Sequence, residues 1–276
     1  MSIVSEHPLT SRIIAELKLA RSKLARVISP GSQLSPAVRA LVRMEQRLDR
    51  PLRLAICGEH NSGKSSLANL LGGIESLPTA AISNTRIPTL LYYAAEPEIW
   101  ALRDATGRQA RVRADRNTLP QTVFRLEVGL PSQRLRAMQI LDFPGLAGPG
   151  HVDLARHAVD AALWCTVSTQ AWKESERLAW NELPARLRSC GLLVATHADL
   201  LANPWDREKL LTRLHRECDS MFRDIVMVST LDASGADALD SALASLIGSA
   251  RERRANSALR VIGRITHRTL SQIEEP

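Results

Sequence analysis

The sequence predicts an α/β fold in which a mostly parallel sheet carries helices on both faces, together with a small helical bundle. Between positions 52 and 229, short apolar runs alternate with longer amphipathic stretches. Strands that alternate with helices form parallel sheets covered on both sides. The first apolar run is followed by GEHNSGKS, which has the glycine and lysine spacing of a phosphate-binding loop, or P-loop. Further amphipathic segments lie at both ends of the chain.

Seven short apolar runs are the predicted strands of the sheet. They cover positions 52–57, 90–94, 123–128, 138–141, 161–167, 192–196 and 225–229. The turn sequence DATGRQ, inside 100–112, predicts a hairpin. Some antiparallel pairing is therefore expected at one edge of the sheet.

Three amphipathic segments outside the sheet are predicted helices. In 10–28 the apolar residues alternate at spacings of four and three, so they share one helical face, and the other face is basic. A second helical pattern ends before Pro51, and a third occupies the C-terminal stretch. The predicted domains are an N-terminal helical segment over 1–50, a P-loop domain over 51–249 and a C-terminal helix over 250–276 that packs on the N-terminal helices.

The composition favours a cytoplasmic protein with a basic surface. No apolar run reaches the ~20 residues that a membrane-spanning helix needs, and the start MSIVSEHPLTSR does not resemble a secretory signal. The four cysteines are scattered, which predicts reduced thiols and no zinc site. The formal net charge of +7 favours nucleic acid, acidic lipid headgroups or an acidic protein as partner. A merely solvated arginine-rich surface explains it equally well.

The P-loop motif predicts nucleotide binding. Its glycines let successive backbone N–H groups converge on phosphate oxygens, and the helix that follows adds the positive end of its dipole. Lys64 is expected to reach the β and γ phosphates, and the Ser65 hydroxyl is expected to bind Mg²⁺. The predicted phosphate-binding residues are Gly58, Asn61, Ser62, Gly63, Lys64, Ser65 and Ser66.

A second motif, QILDFPGLAG, follows a predicted strand and supplies an acidic residue at its carboxyl end. Asp142 can hold Mg²⁺ through water, and the Gly145 N–H can contact the γ phosphate. An ordinary Asp-x-Pro-Gly turn is the alternative explanation. A threonine before the second strand should also close over Mg²⁺, and both Thr85 and Thr89 are suitably placed.

A third motif, THAD, lies where guanine-binding proteins carry [NT]-K-x-D. The Asp199 carboxylate can accept two hydrogen bonds from guanine, a donor pair that adenine does not offer. Thr196 begins the motif, and His197 replaces its usual lysine, so its imidazole would stack on the base with less reach. Ser229 and Thr230, after the next strand, are weaker candidates for base contacts.

Together these motifs resemble those of the dynamin superfamily, in particular the bacterial dynamin-like GTPases. GEHNSGKSSLANLLGG, LPTAAISNTRIPT, LDFPGL and THAD carry the resemblance. It implies Mg²⁺-dependent binding of GTP or GDP, GTP hydrolysis, and a catalytic role for Thr85, which precedes Arg-x-Pro. Leu146 stands where small GTPases have a glutamine that orients water. Catalysis is therefore expected to depend on the P-loop, on Thr85 and on K⁺ held by Asn61, whose alternative role is to cap the loop.

The resemblance also implies a dimer across the nucleotide, with itself or with a related GTPase, and weak activity in the monomer. Such a dimer would drive membrane remodelling or assembly, with peripheral association at an acidic membrane. After position 249 only one helical segment follows, so no long stalk is expected. Two other functions stay open: an RNA- or ribosome-directed GTPase, although no RNA-binding module is visible, and a scaffold that binds GTP or GDP without hydrolysing it.

Overall fold

The computed structural model describes residues 8–27, 36–75, 87–105, 108–114, 123–145, 154 and 157–274. The chain divides into two compact units. We call Leu52–Ile247 the sheet unit, and Met1–Pro51 together with Gly248–Pro276 the helical unit.

The sheet unit contains nine strands. These are β1 (Leu52–Gly58), β2 (Thr89–Tyr93), β3 (Glu98–Ala105), β4 (Arg108–Arg113), β5 (Arg125–Leu130), β6 (Met138–Asp142), β7 (Ala161–Val167), β8 (Gly191–Thr196) and β9 (Asp224–Met227). The α-helices of the chain are α1 (Pro8–Val27), α2 (Pro36–Asp49), α3 (Lys64–Gly72), α4 (Arg134–Ala137), α5 (Glu174–Glu182), α6 (Ala185–Arg188), α7 (Pro204–Cys218) and α8 (Ala236–Glu274). Short 3-10 turns cover Ser168–Gln170 and Ala198–Leu200.

The strands form a single sheet in the order β4-β3-β5-β2-β6-β1-β7-β8-β9. Strands β6, β1, β7, β8 and β9 pair in parallel. Strand β2 is parallel to β5 and antiparallel to β6, and the β3–β4 hairpin is antiparallel. The predicted mixed sheet, mostly parallel with a hairpin at one edge, is confirmed.

Strands β1 and β8 are buried along their whole length and β7 is buried up to its last residue, mostly by apolar side chains. Next to them, Trp164 and Trp180 are fully buried and meet edge to face with ring centroids 5.9 Å apart. All four cysteines are free and buried, and burial raises the pKa of Cys57 to about 12. The carboxyl ends of these rigid strands therefore present their loops on a fixed base.

The helical unit has its own small core. Buried side chains from α1, α2 and α8 pack together in it: Ile13, Leu17, Leu41, Leu48, Ala255 and Ala258. Helix α8 begins at Ala236, well before position 250, where the C-terminal helix was predicted to start. The difference arises because ADALDSALASLIGSA keeps helical spacing without a break, and Gly248 does not end the helix. Among the described residues, no helix is both long and apolar enough to cross a membrane.

Candidate functional site

The P-loop connects the end of β1 to the start of α3, and its backbone explains its residue types. Gly58 has φ 144° and Gly63 has φ 77°, conformations that glycine adopts without steric cost. A Cβ atom at Gly58 would lie 2.4 Å from the carbonyl oxygen of Cys165 on β7. The loop is therefore packed tightly against the neighbouring strand. Gly63 also has no side chain with which to cap α3, so the first N–H groups of this helix are free to bind an anion.

Lys64 lies at the start of α3, with 7% of its surface exposed. Its Nζ donates a hydrogen bond to the backbone carbonyl of Glu59 in the same loop. Burial lowers the pKa of Lys64, and the nearby Asp142 carboxylate opposes that shift. Pairing this ammonium group with phosphate oxygens would be favourable, because burial has already removed most of its water and little further desolvation is needed.

Ser65 and Asp142 meet beside Lys64. The Ser65 hydroxyl donates to Oδ2 of Asp142 at 2.7 Å. The second oxygen, Oδ1, is shielded from solvent and has no hydrogen-bond partner among the described residues. Burial raises the pKa of Asp142, while the Ser65 hydrogen bond and Lys64 lower it.

This pair fits a divalent cation. A buried carboxylate with an unsatisfied oxygen and an adjacent hydroxyl are the hard oxygen ligands that Mg²⁺ prefers, and Mg²⁺ usually takes the rest from water and phosphate. Within the described residues, no group of three or more His, Cys, Asp or Glu side chains forms a metal cluster. A site completed by phosphate oxygens is consistent with that finding. Thr85, the predicted third protein ligand, lies outside the described residues.

The segment after β6, residues 143–145, which we call the second switch segment, lies directly against the P-loop. A Cβ atom at Gly145 would be 2.8 Å from both Cα and N of His60. The predicted phosphate contacts Lys64, Ser65 and Gly145 line one open cavity of about 370 Å³. That volume is within the ~300–1,000 Å³ typical of small-molecule sites. The full lining comprises His60, Asn61, Gly63, Lys64, Ser65, Ser66, Ile87, Thr89, Asp142, Phe143, Pro144, Gly145 and His197.

Thr196 joins the THAD segment after β8 to the P-loop. Its Oγ1 lies 2.9 Å from the carbonyl oxygen of Ser62 and 3.1 Å from that of Thr166. The same oxygen lies 2.9 Å from Nδ1 of His197. If the hydroxyl proton is assigned to one of the two carbonyls, Nδ1 of His197 is the donor to Oγ1. His197, with φ 57°, is thereby held over Gly63, where a Cβ atom would be 3.1 Å from its Cε1.

Asp199 is oriented by the next loop. The Ser229 hydroxyl donates to Oδ1 of Asp199 at 2.7 Å. The backbone N–H of Leu231 in turn donates to the Ser229 hydroxyl at 3.1 Å. Ser229 therefore positions the carboxylate, a role that its place in the sequence did not predict. Thr196, Asp199, Ser229 and Thr230 lie outside the cavity lining; of the described residues in the loops after β8 and β9, only His197 lines the cavity.

Two further features of the P-loop bear on the predictions. Asn61 is exposed with φ 59°, and among the described residues its side chain makes no hydrogen bond that would cap the loop. Glu59 accepts from Lys173 Nζ at 2.9 Å and from the Ser175 hydroxyl at 2.6 Å. The Ser175 bond, followed by Lys173, lowers the pKa of Glu59. No local sequence signal predicted these contacts, because the partners are more than a hundred residues away.

Comparison with known proteins gives matches in sequence and in fold, although no protein-family model matches the chain. The isoniazid-induced protein IniC of Mycobacterium tuberculosis is 35% identical over 114 residues, which are 38% of this chain and 23% of IniC. Dynamin-like protein 2 of Campylobacter jejuni is 31% identical over 140 residues, which are 47% of this chain and 23% of that protein. The matched segments thus span about a quarter of these curated relatives.

The fold matches a solved bacterial dynamin from an oligomerised pair, described as a mechanism for the long-range sensing and tethering of membranes. The TM-score is 0.60 at 21% sequence identity, over 87% of this chain and 42% of that one. A second structure of such a pair has a TM-score of 0.57 at 16% identity, over 96% of this chain and 47% of the other. In both sequence and fold, the chain therefore resembles the bacterial dynamin-like GTPases, as its motifs predicted.

Proposed function

We propose that this chain binds GTP together with Mg²⁺ and hydrolyses it to GDP and phosphate. The observation that carries the proposal is the Ser65–Asp142 pair, with its unsatisfied carboxylate oxygen beside the buried ammonium of Lys64. Bound Mg²⁺ would offset charge on the β and γ phosphates. Lys64 and the first turn of α3 would orient the phosphates, and the Gly145 N–H would contact the γ phosphate.

Guanine selection is assigned to the loops after β8 and β9. The Asp199 carboxylate would accept hydrogen bonds from the guanine N1–H and exocyclic amine, and its bond from Ser229 supports that role by fixing one oxygen. His197 would cover one edge of the nucleotide with a flat ring, because its Nδ1 is already committed to Thr196.

We further propose that the active form is a dimer across the nucleotide face, formed with itself or with a related GTPase. Large apolar side chains in and after the base loops support this proposal: Leu200 is 57% exposed, Trp205 is 77% exposed and Leu231 is 84% exposed. Covering these side chains on association would remove apolar surface from water and so favour the dimer. The dimer would drive membrane remodelling or assembly and would associate peripherally with an acidic membrane.

A monovalent cation would assist catalysis. Asn61 is exposed at the cavity and has no intraloop partner among the described residues, which favours a ligand role over a capping role. K⁺ at this position would offset negative charge on the leaving phosphate. Leu146 cannot orient the attacking water as the glutamine of small GTPases does, so catalysis would depend more on this cation.

Equilibrium titration with fluorescent GTP, GDP and ATP, with and without Mg²⁺, tests the core of this proposal. We expect guanine nucleotides to bind at least tenfold tighter than ATP, and Lys64→Ala to abolish binding. Equal affinity for ATP would contradict guanine selection. Tight GTP binding without any phosphate release, at any protein concentration, would instead identify a non-hydrolysing scaffold.

A further inference from the structure

The positive charge of the chain belongs to the helical unit. Positions 1–51 and 248–276 hold 15 Lys and Arg against seven Asp and Glu, whereas 52–247 hold 21 against 22. The helical unit therefore has a formal net charge of +8, and the sheet unit has −1. A charge this uneven indicates that one unit, rather than the whole surface, is built to meet an acidic partner.

Several carboxylates of the helical unit are already paired within it. Glu45 pairs with Arg21 at 2.9 Å and lies 4.0 Å from Lys18, and Glu16 lies 3.6 Å from Arg12. The exposed Arg260 and Arg264 on α8 instead donate to backbone carbonyls of their own helix, at 3.3 Å and 3.4 Å. Neither pairs with a carboxylate in the described part of the chain, so both guanidinium groups are available to an external anion.

Exposed leucines accompany these cations. Leu259 on α8 is 40% exposed and Leu19 on α1 is 55% exposed. Arg260 and Arg264 are four residues apart on α8 and therefore share one face of the helix, and Leu259 borders that face. An apolar side chain flanked by arginines fits a lipid surface, where the leucine enters the acyl boundary and the cations remain at the headgroups.

The same unit lacks the side chains that would favour RNA. Positions 1–51 and 248–276 contain no Phe, Trp or Tyr, and aromatic side chains are the usual platforms on which single-stranded bases stack. We propose that the helical unit is a binding surface for membranes rich in anionic lipids, with Arg260 and Arg264 at the headgroups and Leu259 in the interface. This inference deepens the proposed function by naming where the membrane is contacted.

Vesicle flotation of the full chain tests the assignment, using phosphatidylcholine vesicles with and without phosphatidylserine. We expect binding only to the anionic vesicles and weaker binding as salt rises. The double variant Arg260→Gln/Arg264→Gln should bind about thirtyfold more weakly, since each cation near such a surface contributes about one kcal/mol. The matched control is Lys209→Gln/Arg213→Gln, which removes two exposed cations from α7 of the sheet unit. Equal binding by the two double variants would overturn the assignment.

Two further measurements separate the alternatives. Leu259→Ser should weaken vesicle binding about tenfold and leave binding to a single-stranded RNA oligonucleotide unchanged. The lipid assignment is wrong, and the surface binds RNA, if RNA binds more tightly than anionic vesicles and if Leu259→Ser weakens neither interaction while the arginine variant weakens both. Phosphate release without vesicles should be the same in wild type and the arginine variant. Lipid binding without any GTP hydrolysis would reject the proposed function and leave this surface intact.

Discussion

Substitution of Gly145 by alanine tests whether the second switch segment must lie against the P-loop for hydrolysis. A Cβ atom here would be 2.8 Å from Cα and N of His60, whereas ordinary contacts begin near 3.4 Å. The two backbones must therefore separate by about 0.6 Å, the difference between these two distances. A misplacement of ~1 Å can reduce an enzymatic rate about a hundredfold. We expect kcat for GTP hydrolysis to fall about tenfold or more, with little change in GDP affinity.

Single-turnover phosphate release with enzyme in excess measures this rate, and a fluorescent GDP titration measures affinity. The matched control is Gly72→Ala, which adds the same methyl group where the nearest atom, in Ile74, would be 3.5 Å away. The reasoning fails if Gly145→Ala hydrolyses GTP as fast as Gly72→Ala. It also fails if GDP affinity falls as much as the rate, because the substitution would then have disrupted the whole loop.

Three more substitutions give separate readouts. Burial raises the pKa of Asp142 in the folded protein above its value in the unfolded chain. As the pH rises between these two values, the unfolded chain loses its proton more readily, so the folded protein loses stability. Asp142→Asn should therefore raise the urea midpoint of the nucleotide-free protein at pH 7 but not at low pH, and should weaken Mg²⁺-dependent GTP binding by about tenfold to a hundredfold. Asp199→Asn should weaken GTP binding about a hundredfold by removing charge-assisted hydrogen bonds, while xanthosine triphosphate, whose C2 carbonyl can accept from an amide, should bind better than to wild type. Gly248→Ala, where a Cβ atom would meet nothing within 4 Å, should stabilise α8 by about 0.5–1 kcal/mol in thermal unfolding; a loss of stability would contradict the helical environment.

The sheet was predictable because its signals are local. The apolar runs that form β1, β7 and β8 are short, continuous and bounded by polar or turn residues, as fully buried parallel strands are. The order of the strands was not predictable, because the side-chain pattern of one strand does not encode its neighbour. The C-terminal helix was predicted to start at position 250, but α8 begins at Ala236. Its helical spacing continues across the predicted domain boundary, so the sequence contains no local signal that separates the two parts.

The candidate site was predictable where chemistry dictates residue type at fixed spacing. The P-loop needs glycine at Gly58 and Gly63 because of their positive φ angles. The motifs predicted that Ser65 and Asp142 share Mg²⁺; their contact arises because β1 and β6 pair in parallel with Ile56 opposite Asp142. Contacts without a motif, such as Glu59 with Lys173, join residues 114 positions apart and leave no periodic trace in the sequence.

GTP hydrolysis measured across a range of protein concentrations tests the central claim most directly. The assay compares K⁺ with Na⁺ at equal ionic strength and uses Lys64→Ala as the inactive control. We expect the specific rate to rise with protein concentration and to fall when Na⁺ replaces K⁺. A rate that is independent of both concentration and cation would contradict the dimer-activated, cation-assisted mechanism, and hydrolysis that persists in Lys64→Ala would contradict the site itself.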